Sequence, residues 1–174
     1  MVTKILFFDT SALIKLFVKE SGSEIVNWLK SNVISYNLHL VINDQVCNEF
    51  INKIKMFSKI GKLSKKKATE IELEFTTFYK GQVFRVIGQN IISNTKKEQT
   101  LKNIIDEMGF KRGKDDWDAL HYQSIVNALA YLGGESHPIL VTADSSFAKK
   151  VSAKGYGIIN PIKQSIEKIK KILS

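Results

Sequence analysis

KILFF, residues 4–8, is apolar after its lysine and stops abruptly on a carboxylate, Asp9. A short strand with no polar alternation has both faces buried, the condition of a parallel sheet clad by helices. Two small hydroxyl residues, Thr10 and Ser11, follow, and SALIKLFVKE (11–20) then reads as helix until Gly22 breaks it. In open α/β sheets, ligands bind just beyond the carboxyl ends of the strands. Asp9 is therefore expected at a ligand-binding edge.

The rest of the chain repeats this alternation. SEIVNWLK (23–30) is a helical piece with Ser23 as its expected N-cap. LHLVI (38–42) is a strand, and Asn43 or Asp44 caps a helix whose apolar stripe is Val46, Phe50, Ile54 and Phe57. Gly61 ends that helix and Ser64 opens another, over 65–80. QVFRVI (82–87) is a third strand, 94–109 a charged amphipathic helix closed by Gly109, and FKRGK (110–114) a loop. A helix over 116–132 presents Ala119, Tyr122, Val126 and Leu129 on one face and stops at Gly133-Gly134. PILVT (138–142) is a fourth strand, 146–154 a helix and YGIIN (156–160) a last strand, before Pro161 starts a Lys-rich terminal helix. Strands alternating with helices predict an open, mainly parallel sheet covered on both faces. Residues 1–160 are expected to form the domain, with 161–174 packed on it or extending it.

At 174 residues and 44% hydrophobic content, one domain can bury a core of its own. No apolar run reaches the roughly 20 residues of a membrane span. The N-terminus lacks a signal peptide's layout, since its apolar part is short and ends in an acid. The lone Cys47 leaves neither an internal disulfide nor a Cys-based zinc site, and reads as a small buried hydrophobe. These features predict a soluble, cytoplasmic protein. A net charge of +9 suits a polyanionic partner, nucleic acid above all, although lysine far outnumbers arginine.

The acids localise the chemistry. LVTAD places Asp144 after the strand at 138–142, as Asp9 follows the first strand. Either could simply cap a helix, but two strands delivering carboxylates to one edge favour a site. Glu49 lies at the margin of the 46/50/54/57 stripe, where its plain alternative is pairing with Lys53. Asp118 sits among apolar residues in the first turn of its helix, where its plain alternative is dipole compensation. Four carboxylates meeting at one edge would resist ionisation unless a cation joined them. Oxygen ligands favour Mg²⁺ or Mn²⁺, and such a site on a basic chain points to phosphodiester hydrolysis.

In FFDTSALIKLFVKE, LVINDQVCNEF, DDWDALHYQSIVNAL and ILVTADSSFAKKVSAKGY the chain resembles the PIN-domain family, and within it the VapC-type toxin ribonucleases. With the elements between them these segments span roughly residues 4–160. The resemblance implies a three-layer α/β/α sandwich with extra helices and Mg²⁺- or Mn²⁺-dependent endonucleolytic cleavage of RNA. It implies Asp9, Glu49, Asp118 and Asp144 as the acidic, metal-holding cluster. Thr142 and Ser146 become supporting or substrate contacts, and Thr10 and Ser11 the turn that seats Asp9. It also implies an antitoxin protein as partner; a second copy of the chain is a separate candidate partner. The chain is longer than typical toxins of this type, with the excess in 61–100 and 161–174, and Asn43 stands where Ser or Thr is common. PIN proteins outside the toxins act in RNA processing.

Two other readings stand beside it. One is a PIN-like module that binds RNA or protein without cutting. The other is an aspartate-nucleophile phosphatase of the haloacid dehalogenase type, for which Ser11 stands where a second acid is needed. His39, His121 and His137 show no metal-ligand spacing. His121, three residues after Asp118, either lines the site or packs in its helix, the latter being the commoner fate. Seven lysines and no acid lie between Lys53 and Lys67. They form a solvated face or, with Lys65, Lys66 and Lys67 at its centre, a track for RNA phosphates. Lys15, one turn into the first helix, is the nearer candidate for a phosphate contact.

Overall fold

The computed structural model describes residues 3–80, 84–87, 102–113, 116–132 and 138–174. The chain runs β1 (Lys4–Phe8), α1 (Thr10–Leu13), a 3-10 turn (Ile14–Leu16), α2 (Ser23–Ser31), β2 (Leu38–Asn43), α3 (Asp44–Lys59), α4 (Lys65–Lys80) and β3 (Arg85–Ile87). It continues through helix α5 over 102–108, then α6 (Asp116–Leu132), β4 (Ile139–Val141), α7 (Ser145–Ser152), β5 (Gly157–Ile159) and α8 (Ile166–Leu173). The five strands form one sheet in the order β3-β2-β1-β4-β5, with every pairing parallel.

The absence of polar alternation in β1 has its predicted consequence. Leu6 and Phe8 face one layer, packed with Leu40 and Ile42 against α2, α3, α4 and α8. Ile5 and Phe7 face the other, with Val41 and Leu140 against α5, α6 and α7. These four of the five β1 side chains are at most 2% exposed. The protein is a three-layer α/β/α sandwich, as expected. Among the described residues no helix is long and apolar enough to cross a membrane.

Several local expectations change. The helix expected over 11–20 ends after one turn and tightens into the 3-10 turn. Ser23 closes the segment that follows. Its hydroxyl donates to the Val18 carbonyl and accepts from the Glu20 N–H, so it opens α2 from inside the helix while Gly22, at φ 88°, takes the cap. A Cβ on Gly22 would lie 2.6 Å from the Pro161 carbonyl oxygen, so glycine is required there by both conformation and space. The terminal helix begins at Ile166, capped by Ser165, and not at Pro161. The Asn160 side chain instead accepts from the N–H groups of Ile162 and Lys163 and closes a separate turn. On α6, Val126 is 40% exposed, while His121, Gln123 and Ser124 are buried. The buried side of the helix is therefore partly polar. Residues 82–83, 94–101, Lys114, Gly133, Gly134 and His137, and the Leu129 side chain, lie outside the described residues.

Candidate active site

The strand order reverses at β1. The chain moves from β1 to β2 and β3 on one side, then crosses to β4 and β5 on the other. Such a switch point opens a crevice at the carboxyl edge. Asp9 follows β1 there and Thr142 follows β4. The Asp9 N–H still donates to the Val141 carbonyl at 3.1 Å, so the two chain ends are in ladder register as they leave the sheet.

Asp9 is 6% exposed. Its Oδ1 caps α1 by accepting from the Ala12 N–H at 3.0 Å and also accepts from the Ser11 hydroxyl at 2.7 Å. Its Oδ2 accepts a close hydrogen bond from the Thr142 hydroxyl. Thr142 Oγ1 in turn accepts from the Asp144 N–H at 3.0 Å, and Ser11 Oγ from the Ala143 N–H at 2.8 Å. Thr10 reaches the other way, donating to Glu49 Oε2 at 2.6 Å. One hydroxyl-bearing turn therefore links the acid after β1 both to the β4 loop and to α3.

Glu49 projects from α3, its second oxygen 3.6 Å from the Lys53 ammonium. The helix is held at its start by Asn43, whose Oδ1 accepts from the Val46 N–H at 2.8 Å and whose Nδ2 donates to Ser124 of α6 at 2.7 Å. His121 is 4% exposed, and its Nε2 is buried without a hydrogen-bond partner among the described residues. Burial holds its imidazole below the usual histidine value, while the charges of Asp9 and Glu49 pull it upward. Burial likewise pushes the Asp9 carboxyl above its ordinary range, against the Thr142 and Ser11 hydroxyls, the Ala12 N–H and His121, which favour the charged form. No lysine or arginine among the described residues forms an ion pair with Asp9.

The structure thus brings together two hydrogen-bonded groups, Asp9 with Ser11 and Thr142, and Thr10 with Glu49, joined through the chain at Asp9-Thr10, with His121 close enough to feel both acids. The other predicted residues stand differently. Asp144 is exposed and caps α7, its Oδ1 accepting from the N–H groups of Ser146 and Phe147 at 2.7 and 3.0 Å. Asp118 is half-buried in the first turn of α6, three residues before His121. Lys15 is corrected: it is 4% exposed, and its ammonium is committed to Glu20 at 2.9 Å, because the chain folds back after the 3-10 turn. Lys65, Lys66 and Lys67 lie exposed on α4, with Lys67 paired to Glu70 at 3.3 Å. Cys47 is half-buried against the core, and burial pushes its thiol up to about 12. Ser11, at the place of a phosphatase's second acid, supplies no carboxyl, and both Asp9 oxygens are engaged.

The donors suit a hard divalent cation in kind: two carboxylates, one of them buried without an ion-pair partner among the described residues. In number they fall short of the four-acid cluster, since among the described residues no three His, Cys, Asp or Glu side chains gather closely enough to hold a metal ion.

No family model matches the chain, and no curated protein matches it. Fourteen chains of solved structures do. The crystal structure of PAE2754 from Pyrobaculum aerophilum is similar over 99% of this chain and 96% of that one, with a TM-score of 0.55 and 18% identity. At that identity the likeness establishes the α/β/α fold.

Proposed function

We propose that the protein is a divalent-metal-dependent endoribonuclease of the PIN type, acting at the switch-point crevice. The observation that carries this reading is the Asp9 carboxylate. It is buried beyond β1 and stands beside Thr10, which holds Glu49, with no lysine or arginine among the described residues paired to it. A carboxylate is costly to bury without a partner, and Mg²⁺ or Mn²⁺ would supply one. Asp9 and Glu49 would hold the ion; Asp118 and Asp144, the further acids of the resemblance, do not gather with them among the described residues and would have to approach for a four-acid site. When bound, such an ion would supply an activated water and a positive charge beside the phosphodiester. The chain's own part is positional. The Ser11 and Thr142 hydroxyls fix Asp9, and Thr10 orients Glu49. The toxin role, and an antitoxin or a second copy of the chain as partner, belong to the same proposal.

A second reading, binding without cleavage, has one observation in its favour: Asp9 and Asp144 both act as helix caps, and no three acids gather among the described residues. Metal titration separates the two. In the nuclease reading, Mn²⁺ or Mg²⁺ raises the melting temperature of the wild type but not of Asp9→Asn, and RNA cleavage stops with EDTA and in the variant. Full cleavage in EDTA, or equal metal responses in both proteins, would overturn it.

A further inference from the structure

A second feature begins at the carboxyl edge and runs along α7 towards the start of β5. Ser146, Lys149 and Lys150 of α7, with Ala153 and Lys154 in the turn that closes it, recur at i, i+3, i+4, i+7 and i+8, the spacing of one helix face. That face lines a cleft of about 390 Å³ whose other wall is Glu107 and Met108 of α5. All three lysines of this segment lie on the cleft side. Lys149 and Lys154 are exposed, and neither forms an ion pair among the described residues. Lys150 is half-buried, its ammonium 4.1 Å over the Phe110 ring and 3.4 Å from the Gly109 carbonyl, which holds it at the cleft wall. Lysines in a last helical turn offset the macrodipole, but the dipole does not require them to share one face with a cavity.

The near end of the cleft is adjacent to the candidate active site. Ser146 donates its N–H to Asp144, whose own N–H is held by Thr142, the partner of Asp9. We propose that this cleft is a subsite for the phosphates of single-stranded RNA, which leads the strand away from the Asp9 site along α7. The proposal rests on the ribonuclease reading and locates its substrate. The facing charges favour it, three ammonium groups against the single carboxylate of Glu107. The lysines of 53–67 are a weaker candidate, because Lys53, Lys62 and Lys67 already pair with Glu49, Glu20 and Glu70.

The test measures affinity for a single-stranded oligoribonucleotide at several salt concentrations in EDTA, so that catalysis plays no part. Lys149→Gln with Lys154→Gln should lower the slope of log affinity against log salt by about 1.4, at roughly 0.7 for each phosphate no longer neutralised. Lys149→Arg with Lys154→Arg should keep the wild-type slope. Changing Lys65, Lys66 and Lys67 together to Gln should leave it unaltered. An unchanged slope in the 149/154 glutamine variant, or a fall as large in the 65–67 variant, overturns the subsite. So does tighter binding of an acidic peptide than of RNA, abolished in the same variant, which would make the occupant a protein. Absence of RNA binding by the wild type overturns it as well. Metal-dependent cleavage, scored separately, shows whether the ribonuclease reading falls with it.

Discussion

Asp9 carries the clearest tension in the molecule, and that tension predicts its thermodynamics. Its folded-state carboxyl is raised above the ordinary value of 3.8 because burial disfavours the charge. The native state therefore keeps a proton that the unfolded chain has released. Its contribution to stability is complete below the ordinary value and is lost as pH rises through the raised one. His121 has the opposite sign. Its value is lowered by burial, so its contribution is present above the ordinary 6.5 and is lost as pH falls. Asp9→Asn keeps the shape and removes the charge. In EDTA its stability, from urea unfolding over a pH series, should gain on the wild type as pH rises above the ordinary carboxyl value and level off once pH passes the raised one. Parallel profiles would mean that Asp9 is not strained by burial. At this scale the sequence was informative where a residue's neighbours in the chain were also its neighbours in space. Asp9, Thr10 and Ser11 form one turn, and the strand-end placement of Thr142 brought it to Asp9. His121 had one signal, its position three residues after Asp118, but a lone helical histidine is usually a packing residue. Lys15 misled because its partner Glu20 reaches it only through the fold-back that Ser23 closes.

Among the elements, α3 shows how a single cap positions a functional side chain. Asn43 does two things at once: Oδ1 satisfies the Val46 N–H, and Nδ2 ties the helix start to Ser124 of α6. Serine can replace the first but not the second. Asn43→Ser should therefore cost about 0.5–1.5 kcal/mol, the net worth of one hydrogen bond. Asn43→Ala should cost that plus the cap, about 1–3 kcal/mol in all. Denaturant midpoints of the two variants measure the difference, and equal losses would show that the cap contributes nothing. If Glu49 depends on α3 being anchored, the alanine variant also weakens the response to Mn²⁺. The α3 stripe was legible because Val46, Phe50 and Ile54, each fully buried, repeat at helical spacing. The buried face of α6 was not. It turns His121, Gln123 and Ser124 inward, and hydropathy cannot reveal a polar face that the site and its neighbouring helices have covered.

At the scale of the whole molecule, the terminal segment is part of the sandwich. Ile169 is fully buried and Leu173 is 4% exposed, and both pack in the layer that holds Phe50 and Leu29. The Lys4 ammonium of β1 donates to the Ile172 carbonyl at 3.2 Å, tying this helix to the first strand. The approach to α8 is fixed by Gly22, whose missing side chain lets the Pro161 carbonyl close on the start of α2. Two substitutions test whether this packing supports the fold. Ile169→Ala removes buried aliphatic volume and should cost about 2–5 kcal/mol. Gly22→Ala should cost at least about 1–3 kcal/mol, because alanine meets both a left-handed backbone and a carbonyl in its way. Lys168→Ala, on the exposed face of the same helix, should change stability by no more than about 0.5 kcal/mol. Urea unfolding with a common m-value reads all three. If Ile169→Ala proved as mild as Lys168→Ala, α8 would be an appendage. If it unfolds the protein cooperatively at lower denaturant, α8 belongs to the same folding unit as the strand that carries Asp9.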